Sequence, residues 1–160
     1  MVLRNRPTVY VAAPLFSQAE LAFNRQIKHE LSKSFRVFLP QDDGDLMGNL
    51  LRCGLSVREA IRKVVAQDVV AVRNCDAVLI VLDGRGIDEG AAFELGVAFA
   101  LQKVCIGLQT DVRRLAAFGN NPMIEGSVEK IFPAISEAVA WLEQRFAEKR
   151  EAPAKSTDFV

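Results

Sequence analysis

The sequence predicts an α/β fold: a three-layer sandwich in which helices cover both faces of a central parallel five-stranded sheet. Short β-rich runs alternate along the chain with segments that carry apolar residues at helical spacing. Residues 77–82 form a continuous apolar run, which is typical of a parallel strand buried on both faces. Half of the 160 residues are hydrophobic, enough for a single core. These observations favour a flavodoxin-like or Rossmann-like domain.

Local patterns predict the elements of the first half in chain order. The β-rich run at residues 8–13 precedes a helix over 17–34, whose start is marked by Ser17 with a glutamate three residues on. A second short strand at 36–39 is stopped by the turn-forming sequence PQDDG. A loop of weak pattern follows to about residue 55.

The second half continues the alternation, because parallel strands need crossover connections and helices supply them. The predicted elements are, in order, a helix over 56–73, the buried strand at 77–82, a helix over 90–103, a strand at 104–108, a short helix at 112–118, a fifth strand near 127–131 and a closing helix over 131–149. The predicted domain covers residues 1–147. The polar tail, 148–160, lacks an apolar period, and we expect it to be flexible.

Composition excludes several classes of function. Twenty basic and twenty acidic residues cancel without forming a basic block, which argues against a nucleic-acid partner. Every apolar run is well short of the roughly 20 residues that cross a membrane. Three cysteines without a CxxC pair fit reduced thiols, and a single histidine builds neither a histidine metal cluster nor a Ser-His-Asp triad. We expect a cytoplasmic protein with no membrane partner, metal or other cofactor.

Glu94 is the most informative residue of the chain. It is the only charged residue between Glu89 and Lys103, in a stretch predicted as a helix that is apolar on every side. A carboxylate in such a setting must be hydrogen-bonded, paired or protonated, since leaving it bare costs on the order of several kcal/mol. Its neighbours three and four residues away are small: Gly90, Ala91, Val97 and Ala98. This stripe of the helix therefore resembles a pocket wall.

Two further acids are candidates for the same site. Asp68 lies among apolar neighbours on its predicted helix, although a buried aspartate that bonds to a backbone amide or an arginine has the same pattern. Asp88 precedes the Glu94 helix, where a carboxylate either caps the helix or binds a ligand. Ligands of open α/β sheets bind beyond the carboxyl ends of the strands. We expect three loops to converge there on one crevice: residues 12–14, 83–89 and 109–121.

Acids without a histidine, a nucleophilic cysteine motif or a metal cluster suit a reaction that develops positive charge. Cleavage of a glycosidic bond is the obvious candidate, because its transition state resembles an oxocarbenium ion. One carboxylate attacks the anomeric carbon, and a second acid, with its pKa raised by burial, protonates the leaving group.

Four segments, TVYVAAPLF, NCDAVLIVLDG, DEGAAFELGVAFALQK and NNPM, resemble the nucleoside 2-deoxyribosyltransferase family. The resemblance extends over roughly residues 8–141. It implies nucleoside salvage, in which a 2-deoxyribosyl group passes between nucleobases through a covalent ester on Glu94 with retention at the anomeric carbon. The implied substrates are a small deoxyribonucleoside and a free nucleobase, purine or pyrimidine.

The same resemblance implies a role for each candidate residue. Glu94 would be the nucleophile, Asp68 would move a proton to and from the base, and Tyr10 would orient Glu94 by a hydrogen bond. The residues implied to bind substrate are Asp88, which holds sugar hydroxyls, with Ala13, Phe16, Gly90, Asn121 and Met123.

Asn121 and Met123 resemble family residues that reach into the site of a neighbouring subunit, where the asparagine binds the 5′-hydroxyl. The resemblance therefore implies a homodimer or higher homo-oligomer with shared active sites. On residue pattern alone, Asn120-Asn121-Pro122 is an ordinary turn sequence, and Tyr10 is an ordinary strand residue.

Two rival functions remain open. A 2′-deoxynucleoside 5′-monophosphate N-glycosidase would share the ELG helix but needs phosphate donors, whereas the first loop reads AAP and the later position is Asn121. The first loop also departs from the transferase pattern, where glycine and tryptophan are expected. A non-catalytic nucleotide-binding module is the second rival, because one fold hosts many functions.

Overall fold

The computed structural model describes residues 6–113 and 119–151. Five parallel strands form one sheet in the order β2-β1-β3-β4-β5. The strands are β1 (Thr8–Ala12), β2 (Arg36–Phe38), β3 (Ala77–Val81), β4 (Val104–Leu108) and β5 (Lys130–Phe132). The helices are α1 (Gln18–Leu31), α2 (Pro40–Asp43), α3 (Met47–Arg52), α4 (Val57–Asn74), α5 (Glu89–Ala100), α6 (Pro122–Glu125) and α7 (Ile135–Glu151). The predicted α/β sandwich is confirmed.

Alternate residues of each strand bury opposite faces of the sheet, as the strand period of two requires. On one face Val9 and Leu79 pack in a core that includes Ile27 of α1 and Leu142 of α7. The residues of the other face pack against α4 and α5: they include Tyr10, Ile80, Val72 and Leu95. Tyr10 therefore points toward the helix that carries Glu94.

The main departure from the predicted elements lies between residues 40 and 55. Instead of a loop, the chain forms the short helices α2 and α3 there. Proline at the first position of α2 starts that helix at no cost, because the first amide of a helix has no internal partner. Helices of four and six residues complete fewer than two turns, so they leave no apolar period in the sequence.

Three other segments differ from prediction or lie partly outside the described residues. β5 begins at Lys130 rather than near residue 127, and α7 begins at Ile135. Of the short helix predicted over 112–118, residues 112 and 113 are not helical and 114–118 lie outside the described residues. α7 continues to Glu151, into the predicted tail, and residues 152–160 lie outside the described part of the chain.

α5 is less buried than its composition predicts. Its inward face is covered, with Ala91, Leu95 and Ala98 at most 2% exposed, whereas Phe93 and Phe99 are more than half exposed. The helix therefore has a buried side and an exposed side, although apolar residues occur on both. Within residues 6–113 and 119–151, no helix combines the length and the apolarity that a membrane crossing requires.

Candidate active site

The hydroxyl of Tyr10 donates a hydrogen bond of 2.7 Å to Glu94 Oε1. The two residues are brought together because β1 is an interior strand, next to β3, and packs against α5. Tyr10 is wholly buried, and its ring stacks on Phe38, with the centroids 5.3 Å apart and the planes 12° apart. Packing therefore fixes the hydroxyl before it meets the carboxylate.

Glu94 lies on the wall of a cavity of about 420 Å³ at the carboxyl ends of β1 and β3. In a sheet of this strand order the crevice is expected at that point, where consecutive connections leave toward opposite faces. The cavity is lined by Ala13, Leu15, Phe16, Pro40, Asp45, Leu46, Met47, Gly48, Val64, Asp68, Asp88, Gly90, Ala91 and Glu94. Seven of the nine residues predicted for the site thus surround or support one cavity.

The ionisation of Glu94 is shifted by its surroundings. Burial raises the pKa of Glu94 to about 8, and the negative charges of Asp68 and Asp88 act in the same direction, while the hydrogen bond from Tyr10 opposes them. Burial raises the pKa of the Tyr10 hydroxyl well above its ordinary value, and the contact with Glu94 adds to the rise. The hydroxyl therefore stays protonated and acts as the donor. Among the described residues, no lysine or arginine pairs with Glu94.

Asp68 is on α4 and lines the same cavity, and its pKa is also raised. Burial raises the pKa of Asp68 to about 6, and the negative charge of Asp45 contributes to the rise. No hydrogen bond from a described residue reaches the Asp68 side chain, so the backbone-bonded and arginine-paired alternatives do not apply within the described chain. Two carboxyl groups whose pKa values are shifted by burial in one cavity are typical of a functional site.

Asp88 is a helix cap and is also placed where it could bind a ligand. Its Oδ1 accepts a hydrogen bond of 2.8 Å from the amide of Ala91, so it caps α5. The same side chain lines the cavity, where its second oxygen is available to a ligand hydroxyl. Gly90 follows in the first turn, where a side chain would approach Asp88 Oδ1 to 3.1 Å.

Asn121 and Met123 do not line this cavity within one chain. Asn121 Oδ1 accepts a hydrogen bond of 2.9 Å from the amide of Met123, and both residues border a separate cavity of about 340 Å³. The expectation that all three loops converge is therefore wrong for residues 109–113 and 119–121. β4 lies beyond β3 in the strand order, so its carboxyl end opens on the far side of β3 from Glu94.

One wall of the cavity is formed by residues that were not predicted from the sequence. Asp45, Leu46, Met47 and Gly48 lie at the junction of α2 and α3, in the segment interpreted as a loop. No local pattern pointed to them. The available signal was indirect: Asp45 follows the second strand, whose carboxyl end borders the same crevice.

Comparison with known proteins gives the family. The model of the family described as nucleoside 2-deoxyribosyltransferase matches residues 9–149. The chain belongs to the nucleoside 2-deoxyribosyltransferase family. A comparison with curated protein sequences finds no match.

Three solved structures share this family fold. A conserved protein from Enterococcus faecalis V583 is 25% identical with a TM-score of 0.71, over 87% of this chain and 98% of that chain. The 2-deoxyribosyltransferase from Bacillus psychrosaccharolyticus is 20% identical with a TM-score of 0.65, over 82% and 90%. The CMP N-glycosidase BcmB from Clostridium botulinum is 19% identical with a TM-score of 0.52, over 86% and 99%.

Proposed function

We propose that this protein transfers the 2-deoxyribosyl group of a deoxyribonucleoside from one nucleobase to another through an ester on Glu94. The observation that carries the proposal is the Glu94 carboxylate, held by Tyr10 on the wall of a cavity that also contains Asp68 and Asp88. Family membership supports the same chemistry. The proposed setting is nucleoside salvage in the cytoplasm.

In the first step, an oxygen of ionised Glu94 attacks C1′ of the bound nucleoside. The bond from C1′ to the base breaks, its electron pair passes to the base, and protonated Asp68 supplies a proton to a base nitrogen. Asp88 holds the sugar hydroxyls, so that C1′ stays in line with Glu94. The products are a free base and a deoxyribosyl ester.

In the second step, an acceptor base takes the place of the first. Its ring nitrogen attacks C1′ from the side that the first base left, Asp68 accepts the proton, and the ester electrons return to Glu94. Two inversions at C1′ give net retention.

The pKa values of the two carboxyls fit a cycle in which the pair shares one proton. With values near 8 for Glu94 and near 6 for Asp68, the pair holds about one proton at pH 7. In the absence of substrate these values place that proton mainly on Glu94. Ester formation needs the proton on Asp68, so it moves from Glu94 to Asp68 before the attack on C1′. Tyr10 favours that arrangement, because its hydroxyl stabilises the ionised form of Glu94.

The cavity favours a nucleoside over a nucleotide. Four carboxylates line it, and none of its lining residues in the described chain is basic or carries a hydroxyl. A 5′-phosphate carries about −1.5 to −2 charges at pH 7 and needs donors that this wall does not supply. Asn121 and Met123 of a neighbouring subunit would complete the 5′ end in a homo-oligomer.

The test is an exchange assay in which deoxyinosine is incubated with free adenine and the products are separated by chromatography. Formation of deoxyadenosine is expected with the unaltered protein and lost with Glu94→Ala. Glu89→Ala, which removes an exposed carboxylate from the same helix, serves as the matched control and should retain exchange.

Two outcomes would replace the proposal. Release of free base and sugar without deoxyadenosine would indicate a hydrolase, and a parallel assay with deoxynucleoside 5′-monophosphates would identify its substrate. No turnover of any purine or pyrimidine donor, with nucleoside binding intact in Glu94→Gln, would indicate a binding module.

A further inference from the structure

Asp45 lines the cavity on the wall that the junction of α2 and α3 forms. Its backbone N–H donates a hydrogen bond of 2.9 Å to Gln67 Oε1, and its Oδ2 lies 3.1 Å from the Nζ of Lys63. Lys63 and Gln67 are one turn apart on α4, each directly preceding a residue of the cavity wall, Val64 or Asp68. Asp45 is thus anchored to the helix that carries Asp68.

The side chain of Asp45 retains capacity to accept a hydrogen bond. Within the described chain, no donor reaches its Oδ1. The ion pair with Lys63 is about half exposed, so it holds Asp45 in place without removing it from the cavity. The cavity therefore holds two acids with different parts in the proposed reaction: Asp68, which gives a proton to the base, and Asp45, whose Oδ1 can accept a hydrogen bond.

A proton donor and a hydrogen-bond acceptor in one cavity match the major-groove edge of a 6-aminopurine. On its major-groove edge, adenine presents N7 as an acceptor beside the N6 amino group as a donor, whereas guanine presents N7 beside an O6 acceptor. Hypoxanthine has the same 6-oxo group as guanine. Protonation of N7 is also what allows a purine to leave as a neutral base.

We propose that Asp45 is a specificity-determining residue that selects 6-aminopurines over 6-oxopurines by accepting a hydrogen bond from the N6 amino group while Asp68 protonates N7. The inference rests on the proposed function. A 6-oxo group at the same place would bring its oxygen against the Asp45 side-chain oxygen, and both acceptors would lose hydrogen bonds to water.

The experiment compares deoxyadenosine with deoxyinosine as donors to one acceptor base. For the unaltered protein we expect kcat/KM to be at least ~10-fold higher for deoxyadenosine, the scale of one discriminating polar contact. Asp45→Asn should reduce that ratio ~10-fold or more, because the amide also donates to a 6-oxo group. Asp42→Asn, the same change in an aspartate outside the cavity that pairs with Lys28, should leave the ratio unchanged.

A binding measurement keeps the inference testable if turnover of the variant is too slow. We expect 7-deaza-2′-deoxyadenosine, which has the N6 amino group but no N7 to protonate, to inhibit competitively. Its inhibition constant should rise ~10-fold in Asp45→Asn and stay unchanged in Asp42→Asn.

The outcomes separate the two proposals. Equal donor ratios in the unaltered protein and Asp45→Asn, with exchange intact, would overturn the role of Asp45 and leave the proposed function standing. Absence of exchange from every donor would overturn both.

Discussion

Among the described residues, the Tyr10 hydroxyl has one hydrogen-bond partner, Glu94. Tyr10 is wholly buried, so solvent does not compete for this hydrogen bond. A hydrogen bond to a charged group contributes roughly 1.5–3 kcal/mol, more than a bond between neutral groups. The contact opposes the rise in the pKa of Glu94 that burial causes, and so favours the ionised form that the proposed attack on the sugar needs. In this account, Tyr10 is a positioning residue with an electrostatic effect.

Tyr10→Phe should therefore reduce kcat for base exchange by roughly 10- to 100-fold, because ~1.4 kcal/mol corresponds to a factor of ten in rate. The phenyl ring keeps its stack on Phe38, so we expect the melting temperature to change by no more than a few degrees. Steady-state kinetics with a saturating donor is the measurement. An exchange rate within twofold of the unaltered protein would contradict the role given to Tyr10.

Glu94 should also cost the protein stability in a pH-dependent way. Its folded pKa, about 8, lies above the ordinary value of 4.5, so the unfolded chain releases the proton at lower pH than the folded chain does. Stability is therefore lost as pH rises from about 4.5 to about 8.

Glu94→Gln removes that titration while keeping an oxygen that accepts from Tyr10. We expect it to be more stable than the unaltered protein by roughly 1–4 kcal/mol at pH 8 and to match it near pH 4.5, since one pKa unit corresponds to ~1.4 kcal/mol. Urea unfolding at several pH values measures the difference, with Glu89→Gln as the exposed control. Curves that stay parallel across this range would show that burial of Glu94 costs nothing.

At the scale of elements, the close contact of β4 with its neighbours depends on Gly107. A Cβ at this position would lie 2.8 Å from Leu82 Cδ1 and 2.9 Å from Ile131 Cγ1, both inside van der Waals contact. β4 lies between β3 and β5 in the sheet, and all of its residues are buried. An added methyl group therefore has no space without displacing its neighbours.

Gly107→Ala should destabilise the fold by ~1–3 kcal/mol through overpacking. Gly96→Ala on α5 is the matched control, because no described atom lies within 4 Å of its added Cβ and alanine favours a helix. We expect the control to stabilise by up to ~1 kcal/mol. Denaturant midpoints compare them; equal stability of Gly107→Ala and the unaltered protein would refute the packing argument.

The sequence predicts long elements and conspicuous acids well. α4 and the strand β3 are recovered almost to the residue, because an 18-residue helix and a continuous buried strand leave strong patterns. Glu94 and Asp68 stand out since charged residues are unexpected at apolar helical positions. Asp45 leaves no such signal, because it lies between helices of only four and six residues.

The contact between Tyr10 and Glu94, by contrast, could not be predicted from local sequence patterns. The residues are 84 positions apart, and no local pattern reports a pairing across that distance. It was implied only by the family resemblance, and strand order is what brings it about: β1 lies next to β3, the strand from which the chain enters α5.

At the scale of the molecule, the topology concentrates acid at one point of a protein with no net charge. The cavity lies where β1 and β3 end, and its carboxylates come from the junction of α2 with α3, from α4 and from the start of α5. Such a site suits a neutral substrate whose sugar becomes positive during the reaction. In the proposed reaction, Glu94 is the nucleophile among these four acids.

The most direct test of this account is the mass of the intact protein after incubation with deoxyadenosine in the absence of an acceptor base. We expect a fraction of the protein to gain the mass of one deoxyribosyl group, on the peptide that contains Glu94, and the gain to disappear when adenine is added. Turnover without any adduct, or an adduct on another residue or in Glu94→Gln, would contradict the central claim that Glu94 forms the ester.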